Sequence, residues 1–408
     1  MKRILFINSG FELGGIETFL VRAAEQLSEN VKYSLLIMSD ATNKDLLDKF
    51  SQYGDVYFLR DLLSFNIGQY AILRTILPLN RSKVKDLFSD IDTIHASCSF
   101  SLPLMRKISN ILGDKVLESI GVYHSREFLW GNKERIMRRT QLSLFRQIPE
   151  NNVIFMNDHT VGLYSKEFKI KYSCALPIGI DINIYSDCKP NQHSGRIVSI
   201  GRLVDFKTYN AHMIRCLSKL NHENKYKFEV YGDGPELKEL RELADKNNVN
   251  VTFFGKLEYK KMPSVLNDAS LFIGSGTAIV EAAAAGVPCI IGIESIEQPQ
   301  SYGFLTDTVG LSFQEKGLNY PLYAYEKIMS GFSSLTENEY YELSARHRDR
   351  ADVFSSSNMR LVLLEYYDNL SHSPKNINPS LMYLIGTLGW MILNKLKICN
   401  ERKSMYDF

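Results

Sequence analysis

Short apolar runs alternate with segments of helical periodicity in both halves of the chain. In the first half, buried strands are predicted at residues 4–7, 33–37, 56–59, 93–95, 116–119 and 153–156. After Pro177 the pattern restarts, with runs at residues 197–200, 228–231, 251–254, 271–273 and 288–291. Apolar strands joined by helices are typical of parallel sheets covered on both faces. The sequence therefore predicts an α/β chain with two Rossmann-like, doubly wound domains that face a central, ligand-binding cleft.

The domain boundary is indicated by the restart near Pro177 and the polar stretch at 189–194. We expect an N-terminal domain over residues 1–175 and a second domain over residues 176–370. Residues 371–408 are predicted to form a linker and an apolar, basic helical tail. A length of 408 residues suits about two domains.

Composition argues against several classes of protein. Apolar residues make up 45% of the chain and charged residues 23%, as in a soluble globular protein. The formal net charge of +2 argues against a nucleic-acid partner. The cysteines lack zinc-site spacing, and neither a signal peptide nor an apolar stretch of roughly 20 residues is visible. We therefore expect a cytoplasmic protein with reduced thiols.

Two cations flank the loop that follows the predicted strand at 197–200. Gly201 turns the chain out of the strand, and Arg202 and Lys207 lie on either side of the loop. A guanidinium fork and an ammonium group suit a diphosphate. A pair of solvated surface cations gives the same pattern.

A Gly/Ser turn leads from the strand at 271–273 into an Ala-rich helix that stops at Gly286. The N-terminus of this helix is predicted to bind an anion through the backbone N–H groups of Gly276, Thr277, Ala278 and Ile279. Glu281 lies one turn later on the face of Thr277, where a carboxylate can accept two ribose hydroxyls. A partner for the helix dipole, or a solvent-facing side chain, is the alternative for Glu281.

The loop after the first predicted strand carries Gly14-Gly15, which allow close approach of a ligand. Its spacing is not GxGxxG, so a dinucleotide fingerprint is not supported. Glu17 lies where a carboxylate stabilises the start of a helix.

Six short motifs in residues 1–370 have the order and spacing of one known family. They are Gly14-Gly15-Ile16-Glu17, Pro177-Ile178-Gly179-Ile180-Asp181, Gly201-Arg202 with Lys207, Tyr231-Gly232-Asp233-Gly234-Pro235, Phe254-Gly255-Lys256, and Glu281-Ala282 with Gly286-Val287-Pro288. On these residues the chain resembles the retaining GT-B glycosyltransferases of family 4, the glycosyl transferases group 1 type.

The resemblance implies transfer of a sugar from a nucleoside-diphosphate sugar and assigns roles to residues. Arg202 and Lys207 would bind the diphosphate and stabilise the leaving group without a metal, and Glu281 would bind the ribose. The further donor-binding positions that it implies, near the base or the phosphates, are Gly232, Gly255, Lys256 and Gly15.

His124 follows the predicted strand at 116–119 and falls where the family has a histidine facing the sugar. In a retaining enzyme without a nucleophile, the departing phosphate oxygen acts as base on the acceptor hydroxyl, and His124 would position the sugar or stabilise charge. A loop histidine without a catalytic task is the alternative. His95 is a further candidate for the cleft wall.

One departure from the family is at Ile273, where the family usually has a second acidic residue, eight positions before Glu281. Residues 273–276 replace a longer loop that contacts the sugar, so the resemblance does not carry over the identity of the sugar. Asp90-Ile91-Asp92 is similar to a metal motif but precedes its strand, on the side away from the cleft. No metal or other cofactor is expected; the substrate would be a UDP- or GDP-sugar.

Two segments suggest contact with a membrane. Basic residues outnumber acidic ones in residues 101–150, near Phe128 and Trp130, as on a surface for anionic lipid; an ordinary amphipathic helix gives the same pattern. Residues 381–393 are apolar on nearly all sides, with a narrow polar stripe at Ser380, Thr387 and Asn394. Tyr383 and Trp390 are expected to anchor this helix at a bilayer interface, or the helix packs on another protein surface.

We therefore expect a metal-independent, retaining glycosyltransferase that extends a lipid-linked glycan in cell-surface polysaccharide or lipopolysaccharide biosynthesis, peripheral on the cytoplasmic face of the membrane. A GT-B nucleotide-sugar epimerase and an inactive nucleotide-sugar-binding subunit are the alternatives. The sequence does not distinguish uridine from guanosine, nor does it define the acceptor.

Overall fold

The computed structural model describes residues 1–12, 14–65, 68, 70–220, 225–379 and 381–396. The described residues divide into two compact units, one formed by Met1–Gly179 together with residues 359–379 and 381–396, and the other by Ile180–Asn358. Each unit is built on a parallel sheet with helices, which confirms the predicted α/β fold class.

The first unit alternates strands and helices along its first 168 residues. Its strands are Lys2–Asn8 (β1), Val31–Ile37 (β2), Gly54–Phe58 (β3), Thr93–Ala96 (β4), Leu117–Val122 (β5) and Val153–Phe155 (β6). Its helices are Gly15–Leu27 (α1), Lys44–Phe50 (α2), Leu59–Leu62 (α3), Ala71–Ile76 (α4), Arg81–Phe88 (α5), Ser101–Leu112 (α6), Ile136–Phe145 (α7) and Asp158–Phe168 (α8).

The sheet of this unit has the order β3-β2-β1-β4-β5-β6, and all of its pairings are parallel. Alternate residues of β1 face opposite sides of the sheet. Ile4 and Phe6 therefore pack in one apolar cluster, whereas Leu5 and Ile7 pack in another. This double burial explains why the strand is a continuous apolar run in the sequence.

The second unit repeats this construction. Its strands are Arg196–Ile200 (β7), Lys227–Tyr231 (β8), Val251–Gly255 (β9), Leu271–Gly274 (β10), Cys289–Ile291 (β11), Gln300–Ser301 (β12) and Tyr323–Ala324 (β13). Its helices are Tyr209–Leu220 (α9), Leu237–Lys246 (α10), Met262–Leu266 (α11), Gly276–Ala284 (α12), Tyr325–Ser333 (α13) and Glu337–Asp352 (α14). Two C-terminal helices follow, Ser356–Asp368 (α15) and Leu381–Lys395 (α16).

The parallel sheet of the second unit has the order β11-β10-β7-β8-β9, and β12 and β13 form a separate antiparallel pair. The chain runs from β7 through β8 to β9 on one side of β7, and β10 and β11 then lie on its other side. This reversal creates a topological switch point at the carboxyl ends of β7 and β10. The first unit has the corresponding reversal between β1 and β4.

The C-terminal segment differs from the predicted boundaries, which assign residues up to 370 to the second domain. Residues 359–379 and 381–396 belong to the first unit. Met359, Leu363 and Tyr366 pack in the cluster that contains Ile4 and Phe6 of β1. The helical period of residues 356–368 predicts a helix, but it does not indicate which sheet the helix covers. In the structure, α15 packs on the sheet of the first unit.

Candidate functional site

The two loops predicted to bind a donor meet at the switch point of the second unit. Residues 201–207 follow β7 and residues 275–278 follow β10, and these strands are paired neighbours through Leu271 with Ile197 and Phe272 with Val198. In open α/β sheets, ligands bind in the crevice beyond the carboxyl ends of the strands at this point. The fold thus brings together two segments that lie about 70 residues apart in the chain.

Glycines line the carboxyl ends of β7, β8 and β9. The Gly201 N–H donates to the Tyr231 carbonyl at 2.9 Å, and the Gly232 N–H donates to the Gly255 carbonyl at 2.7 Å. A Cβ on Gly232 would lie 1.8 Å from the Gly201 carbonyl oxygen, so no larger residue fits there without displacing the neighbouring loop. Three of the predicted positions therefore form one continuous backbone surface.

Lys207 and Arg202 supply positive charge beside this surface. Arg202 is exposed and Lys207 is half-buried, and a Cβ on Gly201 would lie 3.4 Å from Lys207 Nζ. Burial lowers the pKa of Lys207, the Glu294 carboxylate opposes this, and the Arg202 charge adds to it. A partly desolvated ammonium beside a guanidinium favours binding of an anion such as a diphosphate.

Two side chains that the sequence pattern does not predict hold the start of α12. Ser275 Oγ donates to Glu294 Oε1 at 2.9 Å, and the Gly276 N–H donates to Gln314 Oε1. The expected free donor at Gly276 is therefore occupied, and Thr277 and Ala278 carry the next N–H groups of the first helical turn. Glu294 follows β11, so the rule that polar residues after strand ends form sites could have found it.

The side chains of α12 separate into exposed and buried positions. Thr277 is exposed, whereas Ile279 is fully buried and Glu281 is only 3% exposed. The Ile279 side chain belongs to the core, which leaves its backbone as the part that can face a ligand. Glu281 lies one turn into the helix, as predicted, and its contact with a ribose remains a prediction.

The loops after β8 and β9 carry an aromatic pair and an exposed cation. The rings of Tyr231 and Phe254 stack with centroids 4.5 Å apart, while half of the Phe254 surface remains exposed. Lys256 is exposed beside them.

A cavity of about 370 Å³ in the same unit is lined by α13, α14 and adjoining loops and by none of the predicted donor residues.

In the first unit, Asn8 organises the carboxyl end of β1. Its amide donates to Glu17 Oε1 at 2.9 Å, and it accepts a hydrogen bond from Ser97 Oγ at 2.6 Å across the switch point. Burial raises the pKa of Glu17 although the Asn8 bond opposes this. A Cβ on Gly14 would lie 2.4 Å from Glu17 Oε2, whereas Gly15 has open space around it. Gly15 can therefore admit a ligand, and Gly14 makes room for Glu17.

The two candidate histidines differ in environment. His124 follows β5 and is half-buried, and its Nδ1 accepts from the Arg126 N–H at 3.2 Å. Burial and the Arg126 charge lower its pKa, so the imidazole is neutral at pH 7 with its proton on Nε2. His95 is buried and bonded to Ser119 and Tyr123, and burial lowers its pKa to about 3. The expectation that His95 lines a cleft wall is wrong, because both ring nitrogens are used inside the core.

Asp90 and Asp92 serve the turn into β4. The Arg3 N–H donates to Asp92 Oδ2 at 2.9 Å, and the Arg3 guanidinium pairs with Asp90. Both carboxylates at the amino end of the strand therefore have Arg3 as their partner. Within the part of the chain that the structure describes, no group of three or more histidine, cysteine and acidic residues could hold a metal ion.

The aromatic part of the expected surface in residues 101–150 is buried, whereas Lys133 and Arg139 are exposed. Phe128, Trp130 and Arg138 are inaccessible, with the Arg138 guanidinium 4.2 Å from the Trp130 ring centroid. Trp390 of α16 packs 5.9 Å from Trp130 between ring centroids. These aromatic side chains stabilise the contact between α7 and α16. The pattern of apolar residues alone does not show whether such aromatic residues are buried in a contact or form an exposed patch.

Tyr383 and Trp390 are 1% and 3% exposed and pack on the first unit, so the prediction that they anchor the helix in a bilayer is wrong. The predicted stripe residue Ser380 lies outside the described residues. Among the described helices, none is long and apolar enough to cross a membrane.

Comparison with known proteins finds similarity to glycosyltransferases. Residues 188–301 match the family model described as Glycosyl transferases group 1. EpsF of Bacillus subtilis, a protein named for glycosyltransferase activity, is 24% identical over 317 residues, which cover 71% of this chain and 79% of EpsF.

Two solved structures illustrate the likeness of fold. HepE of Anabaena in complex with UDP-glucose has a TM-score of 0.62 at 16% identity, covering 91% of this chain and 100% of that one. WaaB, a lipopolysaccharide outer core galactosyltransferase solved in its apo form, has a TM-score of 0.56 at 14% identity, covering 90% and 99%. The chain thus has the GT-B fold and carries a match to the glycosyl transferases group 1 family in its second unit, and together these findings support a GT-B glycosyltransferase.

Proposed function

We propose that this chain is a retaining, metal-independent glycosyltransferase of family 4 that moves a sugar from a UDP- or GDP-sugar to a growing, lipid-linked glycan. It acts in the synthesis of a cell-surface polysaccharide at the cytoplasmic face of the membrane. The observation that carries the proposal is the position of Lys207 and Arg202 at the switch point of the second unit, beside the Gly201–Gly232–Gly255 backbone surface.

Donor binding follows from the chemistry of these groups. The Lys207 ammonium and the Arg202 guanidinium bind the diphosphate oxygens, and the N–H groups of Thr277 and Ala278 add the positive end of α12. Glu281 accepts hydroxyls of the ribose. Gly232, Gly255 and Lys256 border the base. Gly15, which has open space around it, is a further proposed donor-binding position.

In the transfer step, the bond between the anomeric carbon and the diphosphate oxygen breaks, and a bond to the acceptor oxygen forms on the same face of the sugar. The acceptor hydroxyl gives its proton to the departing phosphate oxygen. Lys207 and Arg202 stabilise the charge on the diphosphate, which supplies the assistance that a metal gives elsewhere. A neutral His124 donates its Nε2–H to the sugar and positions it.

The proposed acceptor and location draw support from the nature of the relatives. WaaB is named as a lipopolysaccharide outer core galactosyltransferase, and the structure of HepE is a complex with UDP-glucose. A chain with the same fold is suited to a similar class of reaction.

The test is a transfer assay with a panel of UDP- and GDP-sugars and a lipid-linked glycan as acceptor. We expect release of the nucleoside diphosphate for one donor, and NMR of the product should show the anomeric configuration of the donor. Arg202→Ala and Lys207→Ala should each lower kcat/KM by about a hundredfold or more. Lys261→Ala, which removes an exposed lysine of the same unit, should leave it unchanged.

Other outcomes separate the alternatives. An isomerised nucleotide sugar without transfer would indicate an epimerase, and donor binding without turnover would indicate an inactive binding subunit. An inverted product would contradict the retaining mechanism while leaving donor binding intact.

A further inference from the structure

The C-terminal helix α16 exposes a row of aliphatic side chains on one face and buries the polar Thr387 on the other. Leu381, Ile385, Leu388 and Ile392 are 72%, 52%, 36% and 58% exposed, and they recur with the spacing of one helix face. Thr387, on the opposite face, is fully buried. A helix that packs alone on a domain in water normally has the reverse orientation.

Close packing fixes this orientation. A Cβ on Gly386 would lie 3.1 Å from Ile136 Cβ and 3.2 Å from the Met137 nitrogen, so α16 approaches the start of α7 closely there. The polar residues of the inward face bond to their own helix, since Thr387 Oγ donates to the Tyr383 carbonyl at 2.8 Å and Asn394 donates to the Trp390 carbonyl at 2.9 Å. The aliphatic face therefore stays outward.

Cations border this outward face. Lys395 ends α16, which contains no acidic residue, and Arg139 is exposed on α7. Ile136, 39% exposed at the contact with Gly386, extends the aliphatic stripe onto α7. An aliphatic stripe bordered by lysine and arginine suits the boundary between anionic headgroups and acyl chains. A two-fold pairing of this face with a second copy would instead repeat the same cations on both sides.

We propose that Leu381, Ile385, Leu388 and Ile392, together with Ile136, form the surface by which this protein lies on an anionic lipid bilayer. The residues that enter the lipid are aliphatic, while Tyr383 and Trp390 attach the helix to the first unit. This proposal rests on the proposed function, because a lipid-linked acceptor is held in the bilayer to which the protein would bind.

The experiment is flotation of the full-length chain with vesicles of phosphatidylethanolamine and phosphatidylglycerol. We expect the wild type to float with the vesicles. Ile385→Ser combined with Ile392→Ser should lower the partition coefficient about a hundredfold, because it removes two aliphatic side chains that would enter the lipid. The control combines Leu361→Ser with Val309→Ser, which removes two similarly exposed aliphatic side chains elsewhere. It should float as the wild type does, and unchanged thermal melting should show that both variants fold.

Equal flotation of the stripe variant and the wild type overturns the proposal, as does a wild type that stays at the bottom of the gradient. A wild-type dimer in solution that the stripe variant abolishes, without flotation, assigns the stripe to a second copy instead. Equal binding to vesicles of phosphatidylcholine alone overturns the claim for anionic lipid. Sugar transfer is tested separately, by the release of nucleoside diphosphate with a soluble acceptor. Loss of this release would count against the proposed function and not against the proposed membrane surface.

Discussion

Ser275 donates a hydrogen bond to the carboxylate of Glu294 across 2.9 Å, which ties the start of α12 to the loop after β11. The same carboxylate attracts the Lys207 ammonium on the loop after β7. Glu294 therefore links two of the segments proposed to bind the donor diphosphate. It also raises the pKa of Lys207 on one of them, against the effect of burial.

Replacing Glu294 with Gln keeps an acceptor for Ser275 and removes this charge. Glu294 raises the pKa of Lys207 against burial, so its loss should let that pKa fall further. Lysine binds an anion only while protonated, and donor affinity is therefore lost as pH rises through the pKa of Lys207. The loss should begin at a lower pH in Glu294→Gln than in the wild type.

The measurement is the donor Kd as a function of pH for both proteins. Glu297→Gln, at an exposed position three residues further along, is the matched control and should follow the wild type. A Glu294→Gln profile that coincides with the wild type would show that Glu294 does not govern the charge of Lys207.

Gly232→Ala should destabilise the second unit and abolish donor binding, because its Cβ would lie 1.8 Å from the Gly201 carbonyl oxygen. Gly331→Ala is the same substitution inside α13, where a Cβ meets nothing within 4 Å. It should stabilise the fold by roughly 0.5–1 kcal/mol, since alanine loses less backbone entropy in a helix. Thermal melting and donor titration of both variants check this; an equally tolerated Gly232→Ala would disprove the close contact.

The ion pair between Arg106 and Glu118 should contribute strongly to the stability of the first unit. Both side chains are at most 1% exposed, and two bonds of 2.8 Å join them. Glu118→Ala leaves a buried guanidinium unpaired, so the free energy of unfolding should fall by about 3–5 kcal/mol in urea titration. Asp55→Ala breaks an exposed pair with Lys32 and should cost less than about 1 kcal/mol. Similar losses in the two variants would contradict this difference.

Tryptophan fluorescence should report the docking of α16. The chain has two tryptophans, Trp130 and Trp390, which lie together at 1% and 3% exposure. Gly386→Leu should push α16 away from Ile136 and shift the emission to longer wavelength, with greater quenching by iodide. Gly389→Leu, where a Cβ meets nothing within 4 Å, is the control and should keep the native emission. An unchanged spectrum for Gly386→Leu would contradict the packing of α16 on α7.

The sequence predicts the sheets well, because a strand buried on both faces must be apolar throughout. The runs at 4–7 and 197–200 correspond to β1 and β7. Arg202 and Lys207 follow from the position of their loop after a strand. The hydrogen bond between Glu294 and Ser275 does not, because the two residues are 19 positions apart and only the pairing of β10 with β11 brings them together.

The orientation of α16 is the other feature that the sequence does not predict. A helix that is apolar on nearly all sides has no clear inward face, and the Thr387 and Asn394 positions suggest a solvent-facing stripe. The structure reverses this, because both side chains satisfy carbonyls of their own helix. Aromatic packing of Trp390 on Trp130 then determines the inward face.

The most direct test of the central claim is titration calorimetry of UDP and GDP with the wild type and with Arg202→Ala combined with Lys207→Ala. We expect that one nucleotide binds the wild type in the absence of metal, that the double variant loses this binding, and that Lys261→Ala combined with Lys260→Ala retains it. Binding of the same affinity by the wild type and the Arg202 and Lys207 double variant would contradict the assignment of the donor site.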